Sequence, residues 1–132
     1  MRFFLIFSIA LASMFLTACS DDDDSAPDPS AQIVGTWDFE QAFLIQNGNE
    51  QEVTLDCFQD DKLEFKNSRA TWYEGQPCQG SGGAPFSQDV YNLSDGGETL
   101  SIGDVDYQVN TLSATKLEIQ SPGSRFIFNR PR

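Results

Sequence analysis

The chain has no histidine, only 8 lysines and arginines against 20 aspartates and glutamates, and three cysteines in 132 residues. Without an imidazole neither a Ser-His nor a Cys-His pair can form, and the commonest general base is missing, so any catalysis would have to run on carboxylates. The scarcity of cations, with a formal net charge of −12, argues against nucleic acid as a partner, because binding it requires many phosphate-neutralising side chains. Helical periodicity sustained over several turns is also lacking. The longest apolar stretch, residues 3–15, falls short of the roughly 20 residues that a settled membrane-spanning helix needs.

What is present points to strands. Aromatics make up 12% of the chain, eleven of them phenylalanine, and turn formers recur roughly every eight to twelve residues, the composition of an all-β domain. Alternating segments at 33–45, 52–55, 62–66, 70–73, 86–93, 99–102, 105–112, 116–120 and 125–130 each present one apolar face. The first opens with Gly35-Thr36-Trp37 and carries Phe39, Phe43 and Ile45. Asn47-Gly48 is a strong two-residue hairpin signal, and Asn67-Ser68, Asp95-Gly96-Gly97, Gly103-Asp104, Ser113-Ala114 and Pro122-Gly123 supply further turns. The glycine-rich stretch 75–85 reads as a loop. Consecutive strands joined this tightly make an antiparallel meander, and closing it on itself removes exposed edges.

At the N-terminus, Met1-Arg2 followed by the apolar stretch reads as an export signal over residues 1–18. Leu16-Thr17-Ala18-Cys19 resembles the bacterial lipobox, which implies diacylglycerol on the Cys19 sulfur and cleavage before it; ordinary secretory cleavage at Ala18 is the alternative. Two or more acyl chains would anchor the protein stably, at about 0.8 kcal/mol per buried CH₂. Ser20 with Asp21 to Asp24 resembles the acidic run of surface-exported lipoproteins of Bacteroidetes-type bacteria. That resemblance implies an outer-membrane protein exposed at the cell surface, with the periplasmic face as the alternative. Repelling aspartates and the Pro27-Asp28-Pro29 segment make residues 19–30 an expected disordered tether, with the globular domain at 31–132.

With lipid on Cys19, the two remaining cysteines, Cys57 and Cys78, are an expected disulfide in an oxidising compartment. The bridge would close a loop of about twenty residues, worth roughly 3 kcal/mol in the loop-entropy model. Two unrelated buried thiols are the alternative, and a two-thiol metal site without histidine is a remoter one.

Gly35-Thr36-Trp37, an acidic pair before Leu63-x-Phe65, the flanking cysteines and a closing Phe126-x-Phe128-x-Arg130 together resemble the lipocalin-like domains of bacterial lipoproteins. The resemblance covers nearly all of 31–132 and implies an up-and-down β-barrel of about eight strands. It also implies that Trp37 lies at the closed end of that barrel, stacked on Arg130. The chain is shorter than a typical secreted lipocalin and shows no clear C-terminal helix. Such a barrel can fill its interior with side chains or hold one small molecule.

Two functions follow as expectations. The first is binding of a small hydrophobic or amphipathic ligand at the membrane, with Trp72, Tyr73, Tyr91 and Tyr107 as the candidate lining, since polar-tipped aromatics orient ligands in apolar pockets. Its rival is a non-catalytic structural or interaction protein whose filled barrel contacts another envelope protein. A monomer without a cofactor is expected. The acid pairs Asp60-Asp61 and Asp104-x-Asp106 are the one opening for carboxylate chemistry or a calcium site, though no twelve-residue calcium loop is present.

Overall fold

The computed structural model describes residues 26–54, 56–75 and 86–132. The signal segment 1–18, Cys19, the acidic run Asp21 to Asp24 and Cys78 lie outside the described residues.

The first element is a single helical turn, α1 (Pro29–Ile33). Asp28 caps it by accepting from the Ser30 amide at 3.0 Å, and Pro29 supplies the preset φ suited to a first helical position. The turn takes in Pro29 and Ser30, which were expected in the tether, and it corrects the reading of Ile33 as a strand residue. Strands β1 (Gly35–Gln46) and β2 (Asn49–Glu52) follow, then a 3₁₀ turn at Asp56–Phe58. The remaining strands are β3 (Lys62–Lys66), β4 (Arg69–Tyr73), β5 (Phe86–Leu93), β6 (Thr99–Ile102), β7 (Val105–Leu112), β8 (Lys116–Gln120) and β9 (Ser124–Asn129). The second strand thus falls at Asn49–Glu52 rather than at 52–55, because the Asn47-Gly48 turn returns the chain at once. Both turn residues have positive φ, +53° and +77°, as the type I′ hairpin requires.

Every neighbouring pair is antiparallel, and β9 closes on β1 with Phe128 opposite Phe39 and Phe126 opposite Ala42. Eight strands, β1 and β3 to β9, therefore form a closed up-and-down barrel. Strand β2 is an added flap on the far half of β1. Arg125 fastens that flap: its Nε and Nη2 donate to the two Glu50 carboxylate oxygens at 3.1 and 2.6 Å, and its Nη1 donates to Glu118 at 3.2 Å.

A register shift between Phe39 and Gln41 marks a bulge in β1. One extra residue inverts the inside-outside phase, so Trp37, Phe39 and Ala42 are the buried residues of the strand. Phe43, an inward residue on simple alternation, instead carries the Arg125 guanidinium 4.0 Å above its ring.

The core fills the end of the barrel where β1 begins. Ile33, Trp37, Phe65, Leu100, Leu117 and Phe128 are fully buried there. Helix α1 covers this end, with Pro29 packed so closely on Gly97 that a Cβ there would lie 2.7 Å from the proline's own. Strand directions place the β1–β2, β6–β7 and β8–β9 hairpins, the end of β4 and the starts of β3 and β5 at the opposite end, the mouth. No helix among the described residues is long and apolar enough to cross a membrane.

Candidate functional site

The closed end is built around Trp37. Its indole N–H donates to the Ile33 carbonyl at 2.8 Å, tying the strand back to the helix that covers it. The Arg130 guanidinium lies 3.9 Å over the indole ring, the pairing that the lipocalin-like resemblance implies. Arg130 also donates to the Gln32 carbonyl at 2.5 Å and to the Thr36 carbonyl at 3.5 Å, and burial lowers its pKa from the usual guanidinium value. A cation–π contact of this kind contributes about 0.5–2 kcal/mol. Gly35 is required beside it: φ is +115° and a Cβ would fall 2.5 Å from Arg130 Nη1. The Gly-x-Trp motif and the terminal arginine thus form one structural plug at the closed end.

Toward the mouth the packing opens. Phe39, Phe58, Trp72, Phe126 and Phe128 make a chain of edge and tilted ring contacts, with Phe39 to Phe58 at 5.7 Å and Trp72 to Phe128 at 5.7 Å. Above this layer lies a cavity of about 220 Å³. Its walls come from seven of the eight barrel strands: Leu63 from β3, Ala70 and Trp72 from β4, Ser87 and Asp89 from β5, Ile102 from β6, Val105 and Tyr107 from β7, Ile119 from β8 and Phe126 from β9. The cavity is therefore the barrel lumen and not a surface dent.

The four polar-tipped aromatics are separated by the structure. Trp72 and Tyr107 line the lumen, the latter in edge contact with Phe126 at 6.4 Å. Burial raises the Tyr107 pKa, so its hydroxyl is a neutral donor. Tyr91 packs edge-on against Phe65 at 4.9 Å and belongs to the core below. Tyr73 is on the outside, 41% exposed.

The acid pairs are likewise divided. Asp61 is 2% exposed and accepts from Trp72 Nε1 at 2.9 Å and from the Gly75 amide at 3.0 Å. It fixes the orientation of a lumen-lining indole and holds the backbone at Gly75. Asp106 accepts from the Ser101 hydroxyl at 2.5 Å across an exposed β6–β7 pair. No group of three or more histidine, cysteine or acidic residues that could hold a metal occurs among the described residues. Cys57 lies half-buried in the 3₁₀ turn at the mouth, and its expected partner Cys78 is outside the described residues.

Sequence reasoning missed Ser87 and Asp89. The signal was available, because Ser87, Asp89 and Tyr91 share one phase of β5, and polar residues in the phase of a core aromatic mark a wall that is not packed against other side chains.

No protein-family profile matches the chain, and no curated protein does. Among solved structures, the chain is similar to a lipocalin-like protein from Bacteroides uniformis, with a TM-score of 0.52 and 16% identity over 75% of this chain and 98% of that one. A protein from Bacteroides eggerthii matches with a TM-score of 0.50 and 16% identity over 75% of this chain and 99% of that one. At this identity the likeness establishes the architecture alone: the domain is a closed, antiparallel, lipocalin-like β-barrel of eight strands.

Proposed function

We propose that this protein is a non-catalytic, lipid-anchored binding module of the cell envelope that holds one small apolar or amphipathic molecule in the barrel lumen. The observation that carries this reading is the lumen cavity, about 220 Å³ and walled by seven strands, above a closed and fully packed base. A rigid barrel with one filled end and one open end presents a preformed concave site with a few polar groups among apolar ones, the usual character of small-molecule pockets. Lipid on Cys19 would join the chain to the membrane on the α1 side, because the N-terminal segment enters at the closed end. The mouth would then face away from the anchor.

Native mass spectrometry of the protein extracted from its own membranes tests the binding reading. A small molecule retained by the parent and lost in Ser87→Phe, which fills the lumen from an exposed wall position, is the expected result. Retention of an envelope protein in its place would favour the rival, an interaction module. That rival draws support from the cavity's size, since about 220 Å³ lies below the roughly 300–1,000 Å³ of drug-sized pockets. The anchor has its own test: Cys19→Ala should move the protein from the membrane fraction to the soluble one, and continued retention would contradict lipidation at that residue.

A further inference from the structure

We infer that the lumen selects a small organic cation, a protonated amine or quaternary ammonium on an apolar or aromatic body, with Asp89 as its counter-ion. This rests on the reading of the lumen as a ligand site and names the class of ligand.

The first observation is the charge of the wall. Among the lining residues Asp89 is the single charged side chain, and neither lysine nor arginine reaches the cavity. None of the ion pairs among the described residues engages Asp89. Gly103, at φ +57° in the β6–β7 hairpin, leaves the carboxylate uncovered; a Cβ there would sit 3.2 Å from Asp89 Cγ. A carboxylate or phosphate headgroup entering this site would meet a like charge with no compensating donor beyond hydroxyls, whereas an ammonium group would find its partner.

The second observation concerns Trp72. Its indole N–H is bonded to the buried Asp61 carboxylate at 2.9 Å, which holds the ring in place at the lumen wall. Tryptophan rings attract cations, and the Tyr107 ring adds a second aromatic wall.

The third is the distribution of charge over the barrel. The connections and strand ends at the mouth carry Glu50, Asp56, Asp60, Glu74, Asp104 and Asp106. The two cations on that side are engaged, Lys62 by Asp38 at 3.1 Å and Arg125 by Glu50 and Glu118. The other five basic residues of the domain, Lys66, Arg69, Lys116, Arg130 and Arg132, belong to strand ends and the C-terminus at the closed end. An acidic rim around a low-dielectric opening focuses the field and concentrates cations at the entrance. Size sets the remaining limit: about 220 Å³ lies below the roughly 300–1,000 Å³ of drug-sized pockets, which suits a single-ring amine.

The test titrates the full chain with three single-ring probes, benzylammonium, benzyl alcohol and benzoate, read by tryptophan fluorescence and calorimetry at low and high salt. Benzylammonium should bind about ten-fold tighter than benzyl alcohol, the scale of a partly hydrated cation–π and ion-pair site, and benzoate should bind weakest. High salt should reduce the preference, and Asp89→Asn should bring benzylammonium to the affinity that benzyl alcohol shows on the same variant, with the melting curve unchanged. Equal binding of ammonium and alcohol by the parent, or a preference that survives Asp89→Asn, overturns the cation assignment and leaves the lumen reading standing. Failure of all three probes to bind removes both.

Discussion

Replacing Trp37 with alanine should be the most damaging single change in the domain. The indole is fully buried, donates to the Ile33 carbonyl at 2.8 Å and lies under the Arg130 guanidinium. Truncating a buried aromatic to alanine costs about 3–5 kcal/mol. At about 4–8 °C per kcal/mol for a domain of this size, the melting temperature should fall by roughly 12–40 °C. Urea unfolding followed by far-ultraviolet circular dichroism gives the free energy without relying on tryptophan emission. A cycle of Trp37→Phe, Arg130→Met and the double variant isolates the stacking, with an expected coupling of about 0.5–2 kcal/mol. A cost below about 1 kcal/mol for Trp37→Ala would refute the placement of this residue as the plug. Zero coupling would refute the energetic role given to Arg130.

Three further outcomes are expected. Gly35→Ala should destabilise by about 1–3 kcal/mol, because a non-glycine residue is strained at φ +115° even if Arg130 moves aside; an unchanged urea midpoint would contradict this. Burial alone would raise the Glu118 carboxyl, but the nearby Lys116, Asn110 and Arg125 hold its pKa below the usual value. Its stabilisation is therefore present at neutral pH and lost as pH falls through the lowered folded-state value. Glu118→Gln should cost about 0.2–1 kcal/mol at pH 7, the range for ion pairs near a surface, and the gap should close in acid; a gap constant with pH would be inconsistent with this origin. Reducing agent should lower the melting temperature of the full chain, by an amount equivalent to about 3 kcal/mol if Cys57 and Cys78 are bridged, and a Cys57→Ser variant should then show no further response.

Much of the barrel is legible in the sequence because period-two alternation and turn chemistry are local. Asn47-Gly48 announces its own positive φ values, and the 62–66, 86–93, 99–102, 105–112 and 116–120 segments match the strands β3 and β5 to β8 residue for residue. Two kinds of feature are not legible locally. The bulge in β1 depends on how β9 packs against it, and it moves Phe43 outside although the sequence alternates through it. The helical turn at Pro29–Ile33 is set by what it covers as much as by Asp28 and Pro29.

The site itself was half legible. Trp72 and Tyr107 are large aromatics in strand phases, and they line the lumen. Tyr91 and Tyr73 have the same chemistry but sit below it and outside it, because barrel tilt and strand phase decide which face and which level a side chain reaches. Asp61 reads as one of two turn-side acids in sequence, and only the fold brings it beneath the Trp72 indole.

Methyl-resolved NMR during a titration with benzyl alcohol discriminates most sharply between an open upper lumen and a barrel packed throughout. Shifts should concentrate on Leu63, Ile102, Val105 and Ile119, while Ile33, Leu100 and Leu117 in the packed half stay still. Shifts confined to outer-surface methyls such as those of Val90, or none at saturating probe, would show that the barrel has no binding lumen.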